Sequence, residues 1–148
     1  MKTRFEFVTV SPEHYRALLA LSREVGTSSV KPLYKELIKV RASQINECAY
    51  CIDMHTRQAR ELGESEHRLY ALNAWRDSHM FSDEEKAILA LTEEVTLIQN
   101  HGVSDEVYAQ VSKYFSEKEI ADIIMTIVLI NSWNRIMVAT RAVYKPQK

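Results

Sequence analysis

The chain has 148 residues, a formal net charge of −1, 46% hydrophobic residues and 26% charged residues. These values are ordinary for one globular domain with its own core, and the charge does not indicate nucleic acid or an anionic membrane as a partner. The N-terminus lacks the apolar run of a signal peptide, and the longest uncharged run, residues 123–134, is too short to span a bilayer. We therefore expect a single domain over residues 1–148, in the cytoplasm.

Helix signals follow one another along the chain. Residues 1–9 alternate weakly between apolar and polar side chains and are expected to form an extended N-terminal arm. After the arm, serine, proline and glutamate stand where helices begin. The expected starts are Ser11 with Pro12, Pro32, Ser65, Ser82 with Glu85, Ser104, and Ser116 with Glu119. With only three glycines and three prolines, this pattern predicts an all-α domain of about seven helices and no convincing strand pair.

The last predicted helix, roughly residues 117–143, is apolar on most of its circumference from Ile120 to Val138. A helix that is hydrophobic nearly all round is a buried helix. In so small a domain, this indicates burial against partner subunits as well as against the core, so we expect a homo-oligomer. A central core helix is the simpler interpretation of the same pattern.

Both cysteines of the chain lie in one short stretch, NECAYCIDMHTRQARELG, at the start of a predicted helix that ends before Gly63. Cys48, Cys51 and His55 share a face of that helix because they are three and four residues apart. Three interpretations compete: a redox dithiol, a metal site, and two buried small residues beside a surface histidine. A metal site normally needs further ligands, and the other histidines are scattered. We favour the redox dithiol.

The two sulfur atoms differ in what would activate them. The helix N-terminus stabilises an anion on Cys48, which is nearer the start. The His55 imidazole can take a proton directly from Cys51, one turn away, but not from Cys48. These two effects favour different cysteines as the reacting thiol. We give more weight to the histidine, which favours Cys51.

A histidine that moves protons usually has an orienting acidic partner. The candidates are Glu36, Glu47 and Asp53; Glu47 would help to cap the helix, and Asp53 points away from His55. Glu36 lies at the edge of an apolar stripe on the preceding helix, where partial burial would raise its pKa into a range suited to proton transfer. A solvated helix glutamate fits the spacing alone at least as well.

The runs VRASQINECAYCIDMHTRQARELGESEHRLYAL and LNAWRDSHMFSDEEKAILALTEEVT resemble the alkylhydroperoxidase D-like (AhpD-like) group of the carboxymuconolactone decarboxylase family. The resemblance covers roughly residues 15–140. The redox motif of that group is a glutamate, a CxxC pair and a histidine four residues after the second cysteine. Glu36, twelve residues before Cys48, completes this motif, so the resemblance favours it as the partner of His55.

The resemblance implies an all-helical fold and thiol-dependent reduction of a hydroperoxide, expected to be an organic one. His55, assisted by Glu36, would deprotonate Cys51, which would become a sulfenic acid and then a disulfide with Cys48. A dithiol protein, lipoyl-bearing in the best-known branch, would restore the pair, and no haem, flavin or metal cofactor is implied. The resemblance also implies a trimer or hexamer, and a chain with one family unit favours the hexamer.

Some features leave alternatives open. The best-known branch carries a histidine where this chain has Tyr50, whose role as a gate or as packing is undecided. Asn131 and Arg135 could line a site or an interface, although core hydrogen bonding is the simpler interpretation. For Trp75, packing is a simpler interpretation than stacking on a ligand. A decarboxylase-like or lactone-processing enzyme and a non-enzymatic redox-sensing protein are the competing functions.

Overall fold

Residues 2–145 contain eight α-helices and one short 3₁₀ helix, joined by turns and loops, and no strand occurs among these residues. The computed structural model describes this range; Met1 and residues 146–148 of the predicted domain lie outside it. The α-helices are α1 Phe7–Val10, α2 Pro12–Thr27, α3 Pro32–Ile45, α4 Ala49–Glu61, α5 Glu66–Ala71, α6 Asp83–Thr96, α7 Asp105–Val111 and α8 Glu117–Thr140, with the 3₁₀ helix Leu72–Ala74 after α5. The predicted all-α fold is confirmed, with one more helix than the seven or so expected.

The additional helix is α1, which lies in the arm that was predicted to be extended. Its single turn forms because the amide of Val10 donates to the carbonyl of Glu6 at 3.1 Å and the amide of Ser11 to that of Phe7 at 2.9 Å. The arm is therefore non-helical only over residues 2–6. It is attached to the end of α8, because the amide of Arg4 donates to the carbonyl of Thr140 at 2.9 Å.

Most helix starts follow the predicted cap chemistry. Ser82 with Glu85, and Ser116 with Glu119, each form a complete capping box, in which serine and glutamate side chains bond reciprocally to backbone amides. Ser11 is the exception. Its hydroxyl contacts the side chains of its neighbours Glu13 and His14 and bonds no backbone amide of α2.

Helix α3 occupies the centre of the fold and packs against α4, α6 and α8. Leu37, Ile38, Val40 and Ala42 on this helix are at most 1% exposed. Burying a leucine, isoleucine or valine side chain contributes about 1.5–3 kcal/mol to stability. The helix that carries Glu36 is therefore held by core packing on several faces.

Helix α8, with 24 residues, is the longest helix of the described range. Its length and composition alone would allow it to cross a membrane, a test that the core helix of a water-soluble protein also passes. Ile123, Ile127 and Ile130 are at most 1% exposed against the other helices. Met125 and Val128 stay 38% and 42% exposed, so the surface of α8 retains an apolar part.

A buried carboxylate connects α6 to two other segments. Glu93 accepts hydrogen bonds from the Trp75 indole at 2.7 Å, from Arg41 Nε of α3 at 2.8 Å and from the Arg76 guanidinium. Burial opposes ionisation of Glu93, but these donors outweigh it and lower its pKa. Trp75 is only 4% exposed, so the packing role predicted for it is confirmed.

Candidate functional site

The cysteine pair lies at the first turn of α4. Cys48 is the N-cap residue, and its sulfur accepts the backbone N–H of Cys51 at 3.4 Å. Cys48, and not Glu47 as expected, therefore caps this helix. Glu47 has a left-handed backbone, with φ of 53°, and turns the chain from α3 into α4. The two sulfurs are joined in a disulfide whose α-carbons are 5.4 Å apart.

Asparagine side chains hold this turn against α8. The amide nitrogen of Asn46 donates to the carbonyl oxygens of Asn131 and Asn134, both at 2.9 Å. Asn134, 1% exposed, donates in turn to the Ser43 hydroxyl at 3.0 Å. Arg135 donates to Asn131 at 2.9 Å. Asn131, which is half-buried, is confirmed as a hydrogen-bonding residue of the core, whereas Arg135 is exposed and its bond to Asn131 lies at the surface. The asparagine network fixes the residues just before Cys48.

His55 is held by two acceptors on one ring nitrogen. Its Nδ1 lies 2.9 Å from Glu36 Oε2 and 2.9 Å from Gln58 Oε1. Because both oxygens are acceptors, Nδ1 carries the proton, and the lone pair of the neutral ring is on Nε2. The other oxygen of Glu36 accepts from Lys39 Nζ at 2.6 Å. The four side chains form a continuous chain of hydrogen bonds from α3 to α4.

The expected raised pKa of Glu36 is wrong. Burial, at 6% exposure, is the largest single influence and does act to raise it. The hydrogen bonds and positive charge supplied by His55 and Lys39 together exceed that effect, so the pKa of Glu36 lies below its usual value. Glu36 is consequently a carboxylate near neutral pH and serves as an acceptor that orients His55.

Sequence reasoning missed Lys39 and Gln58. Both are three residues after a predicted site residue, Lys39 after Glu36 and Gln58 after His55, and this spacing on a helix was the available signal. Asp53, the rejected candidate, pairs with Arg57 at 2.8 Å and makes no hydrogen bond to His55 within residues 2–145. The structure therefore brings His55 and the cysteine pair together, as the helical spacing indicated, and places Glu36 beside His55, as the family resemblance implied.

A cavity of about 330 Å³ opens beside the pair. Cys51 and His55 line it, whereas Cys48 lies behind Cys51, packed against Ala42 and Ile130. The other lining residues are Tyr15, Leu19 and Ser22 of α2, Lys39 of α3, Tyr50, Met54 and Gln58 of α4, and Leu129, Ile130, Trp133 and Met137 of α8. The cavity is thus mainly apolar, with its polar groups gathered around His55.

Aromatic side chains form part of the cavity wall. Tyr15 and Trp133 meet edge to face with ring centroids 5.5 Å apart, and Trp133 Nε1 donates to Ser22 at 3.2 Å. Tyr50 packs edge to face on Tyr144 at 5.3 Å. Burial raises the pKa of Tyr50, so its hydroxyl stays protonated near neutral pH and does not serve as a base. Tyr50 thus packs against Tyr144 in the wall of the cavity.

The arrangement supplies the parts of proton-coupled thiol chemistry. A sulfur that can be a thiol or a disulfide lies in a cavity with an imidazole whose Nε2 can accept a proton. In residues 2–145, no group of three or more His, Cys, Asp or Glu side chains is arranged to hold a metal ion.

Comparison with known proteins agrees with these observations. The profile of the carboxymuconolactone decarboxylase family matches residues 12–94. YdfG of Bacillus subtilis, an uncharacterized protein, is 42% identical over 139 residues, which are 94% of this chain and 95% of YdfG. A crystal structure of a protein of unknown function from Agrobacterium tumefaciens, assigned provisionally as the antioxidant defence protein AhpD, superposes with a TM-score of 0.95. It is 37% identical, with 99% of this chain and 100% of that chain covered.

A more distant structure shares the fold. The debrominase Bmp8 superposes with a TM-score of 0.83 over 93% of this chain and 74% of its own, at 19% identity. Identity this low shows a common fold and nothing about a common substrate. The profile match and the two closer relatives, by contrast, cover the helices that carry Glu36, the cysteine pair and His55. This chain belongs to the carboxymuconolactone decarboxylase family, in its AhpD-like group.

Proposed function

We propose that the protein is a thiol-dependent peroxidase that reduces an organic hydroperoxide through a Cys48–Cys51 dithiol and disulfide cycle. One observation carries the proposal: Cys51 and His55 line the same apolar cavity, and Glu36 holds the opposite nitrogen of the imidazole. The antioxidant assignment of the Agrobacterium relative agrees with this chemistry.

The first step is proton transfer from the Cys51 thiol to His55 Nε2. The thiolate attacks the terminal oxygen of the hydroperoxide, so that an S–O bond forms and the O–O bond breaks. The leaving alkoxide takes a proton from the imidazolium and departs as an alcohol. Cys51 is then a sulfenic acid and His55 is neutral again. Glu36 stays ionised throughout, keeps the Nδ1 proton in place and stabilises the transient imidazolium.

The second step is resolution by Cys48. Its sulfur attacks the sulfenic acid, a disulfide forms and water leaves. One thiol of an external dithiol then attacks Cys51, which faces the cavity, and Cys48 is the leaving group. The second thiol of the donor attacks the resulting mixed disulfide, so that the donor leaves as a disulfide and Cys51 is released as a thiol. The N-terminus of α4 and the N–H of Cys51 stabilise the departing Cys48 thiolate. The two activating effects thus serve two cysteines with different tasks.

The cavity favours an organic hydroperoxide over hydrogen peroxide. A volume of about 330 Å³ and a wall of leucine, methionine and aromatic side chains suit an apolar group attached to the peroxide. No prosthetic group takes part in the proposed cycle, and the reductant is a dithiol, with a lipoyl-bearing protein as the candidate.

We also propose a homo-oligomer, a hexamer in preference to a trimer, in the cytoplasm. The exposed apolar residues of α8 support self-association, since Met125, Val128 and Val138 are 38%, 42% and 48% exposed. Nucleic acid and membrane are not among the proposed partners.

The test is peroxide consumption by the reduced protein, with cumene hydroperoxide as substrate and dihydrolipoamide as donor. Wild type should turn over many times. Cys48→Ser should consume about one equivalent and stop, and Cys51→Ser should consume none. The exposed Ser112→Ala variant is the control for serine chemistry elsewhere and should match wild type. Multiple turnover by Cys51→Ser at the wild-type rate would contradict the proposal.

A further inference from the structure

We propose that Lys39 is a positioning residue of the site: its ammonium group holds and neutralises Glu36, so that the carboxylate orients His55 without disfavouring the Cys51 thiolate. The inference rests on the proposed function only in taking Cys51 as the reacting thiol. It concerns a side chain that lies outside the glutamate, CxxC and histidine motif.

The geometry puts Lys39 and His55 on the two oxygens of one carboxylate. Lys39 Nζ is 2.6 Å from Glu36 Oε1, and His55 Nδ1 is 2.9 Å from Glu36 Oε2. The Glu36 and His55 side chains are each 8% exposed, and that of Lys39 is 20% exposed. Water therefore screens these charges weakly, and their mutual effects are larger than at a surface.

A buried carboxylate without a partner places a negative charge near Cys51, and a nearby negative charge disfavours a thiolate. The Lys39 ammonium cancels this carboxylate charge. With Lys39 in place, Glu36 therefore orients His55 through the Nδ1 hydrogen bond without placing an uncompensated negative charge beside it.

No other lysine or arginine can replace Lys39 at this position. Among the side chains of residues 2–145 that line the cavity, Lys39 is the only lysine or arginine. Its neighbour Lys35 points to the end of α2, where it donates to the Gly26 carbonyl at 2.8 Å. The other titratable groups on the cavity wall are Tyr15 of α2 and Tyr50 of α4, whereas α8 contributes only uncharged side chains.

Removing the Lys39 charge should therefore move thiolate formation to higher pH. The substitution Lys39→Met withdraws a positive charge from the cavity wall and leaves the Glu36 charge uncompensated, which favours the protonated form of the Cys51 thiol. A charge within about 4–6 Å of a titrating group shifts its titration by about 1–3 pH units. A shift of one unit corresponds to a roughly tenfold smaller thiolate fraction at pH 7. Lys39→Arg preserves the charge and should stay near wild type.

The experiment measures alkylation of Cys51 by iodoacetamide between pH 5 and 10 in reduced protein. A Cys48→Ser background isolates the one thiol, and Lys39→Met, Lys39→Arg and the exposed control Lys113→Met are added to it. We expect the midpoint to rise by one unit or more for Lys39→Met alone, with the same plateau rate at high pH. An unchanged plateau rate distinguishes a charge effect from structural damage, which would lower the plateau. Should Lys39→Met fail to fold, Lys39→Gln replaces it.

An unchanged midpoint in Lys39→Met, or an equal shift in Lys39→Arg, would overturn the inference. The alkylation assay uses no peroxide, so the two proposals fail separately. If the midpoint shifts but the wild-type protein turns over no hydroperoxide, the role of Lys39 stands and the peroxidase proposal fails. If hydroperoxide is turned over and the midpoint does not move, the role of Lys39 fails alone.

Discussion

Substitution of Glu36 by glutamine keeps the shape of the side chain and removes its charge. The carboxylate accepts from Lys39 at one oxygen and from His55 at the other. A glutamine amide has only one acceptor oxygen, and Lys39 has only donors, so the amide oxygen faces Lys39 and the NH₂ group faces His55. The imidazole must then carry its proton on Nε2. In that tautomer it cannot accept the proton of Cys51.

The expected size of the effect follows from the group that is lost. A positioned general base contributes about 10²- to 10⁴-fold to a rate, so kcat/KM of Glu36→Gln should fall by that factor. The free energy of unfolding should fall by only about 1–3 kcal/mol, because a charge-assisted hydrogen bond is replaced by a neutral one in a core that keeps its packing. A large loss of activity should therefore accompany a modest loss of stability.

The assay compares wild type, Glu36→Gln and the exposed control Glu61→Gln, which lies at the end of the same helix as His55. Initial rates with cumene hydroperoxide and dihydrolipoamide give kcat/KM, and urea unfolding gives stability. A folded Glu36→Gln protein whose kcat/KM stays within about threefold of wild type would refute the orienting role of Glu36.

Three other substitutions test the packing and the cavity. Asn134→Ala should lower the free energy of unfolding in urea by about 1–3 kcal/mol, because it leaves the buried Ser43 and the half-buried Asn46 each short of a hydrogen bond; no change would contradict the network. The pKa of Glu93 is lowered in the folded state, so its stabilisation is present above the usual glutamate range near pH 4.3 and is lost as pH falls through the lowered value. Glu93→Gln, which keeps an acceptor for the Trp75 indole, should therefore flatten the acid loss of stability, and parallel pH profiles would count against this. Leu129→Trp, which fills part of the cavity, should reduce turnover of cumene hydroperoxide more than that of hydrogen peroxide; equal losses would show that the cavity does not hold the organic group.

Helix starts could be predicted because their chemistry is local. A capping box needs only a serine and a glutamate three residues apart, and both predicted boxes form. The arm was harder. The residues FVTV of α1 are poor helix formers, but hydrogen bonds from Val10 and Ser11 to the preceding carbonyls close one turn just before Pro12. These hydrogen bonds therefore override the low helix propensity of the residues in α1.

Contacts between distant residues could not be predicted from the sequence. Arg41 and Glu93 are 52 residues apart and form one partly buried ion pair, for which no short-range pattern exists. The pKa of Glu36 shows the same limit within the site. The partial burial of Glu36 was predicted correctly. The direction of its pKa shift, however, depends on His55, 19 residues away, and on the side chain of Lys39, which turns toward the carboxylate. Burial considered alone predicts a raised pKa for Glu36, whereas the pKa is lowered.

The central claim is that Cys48 and Cys51 cycle between dithiol and disulfide in response to a hydroperoxide. The most direct test is thiol titration with intact-mass determination of the reduced protein, before and after one equivalent of cumene hydroperoxide, and again after a dithiol. The account predicts loss of two thiols and two hydrogen atoms after the peroxide, localised to this pair, and complete recovery with the dithiol. Two free thiols that remain unchanged after the peroxide would contradict it.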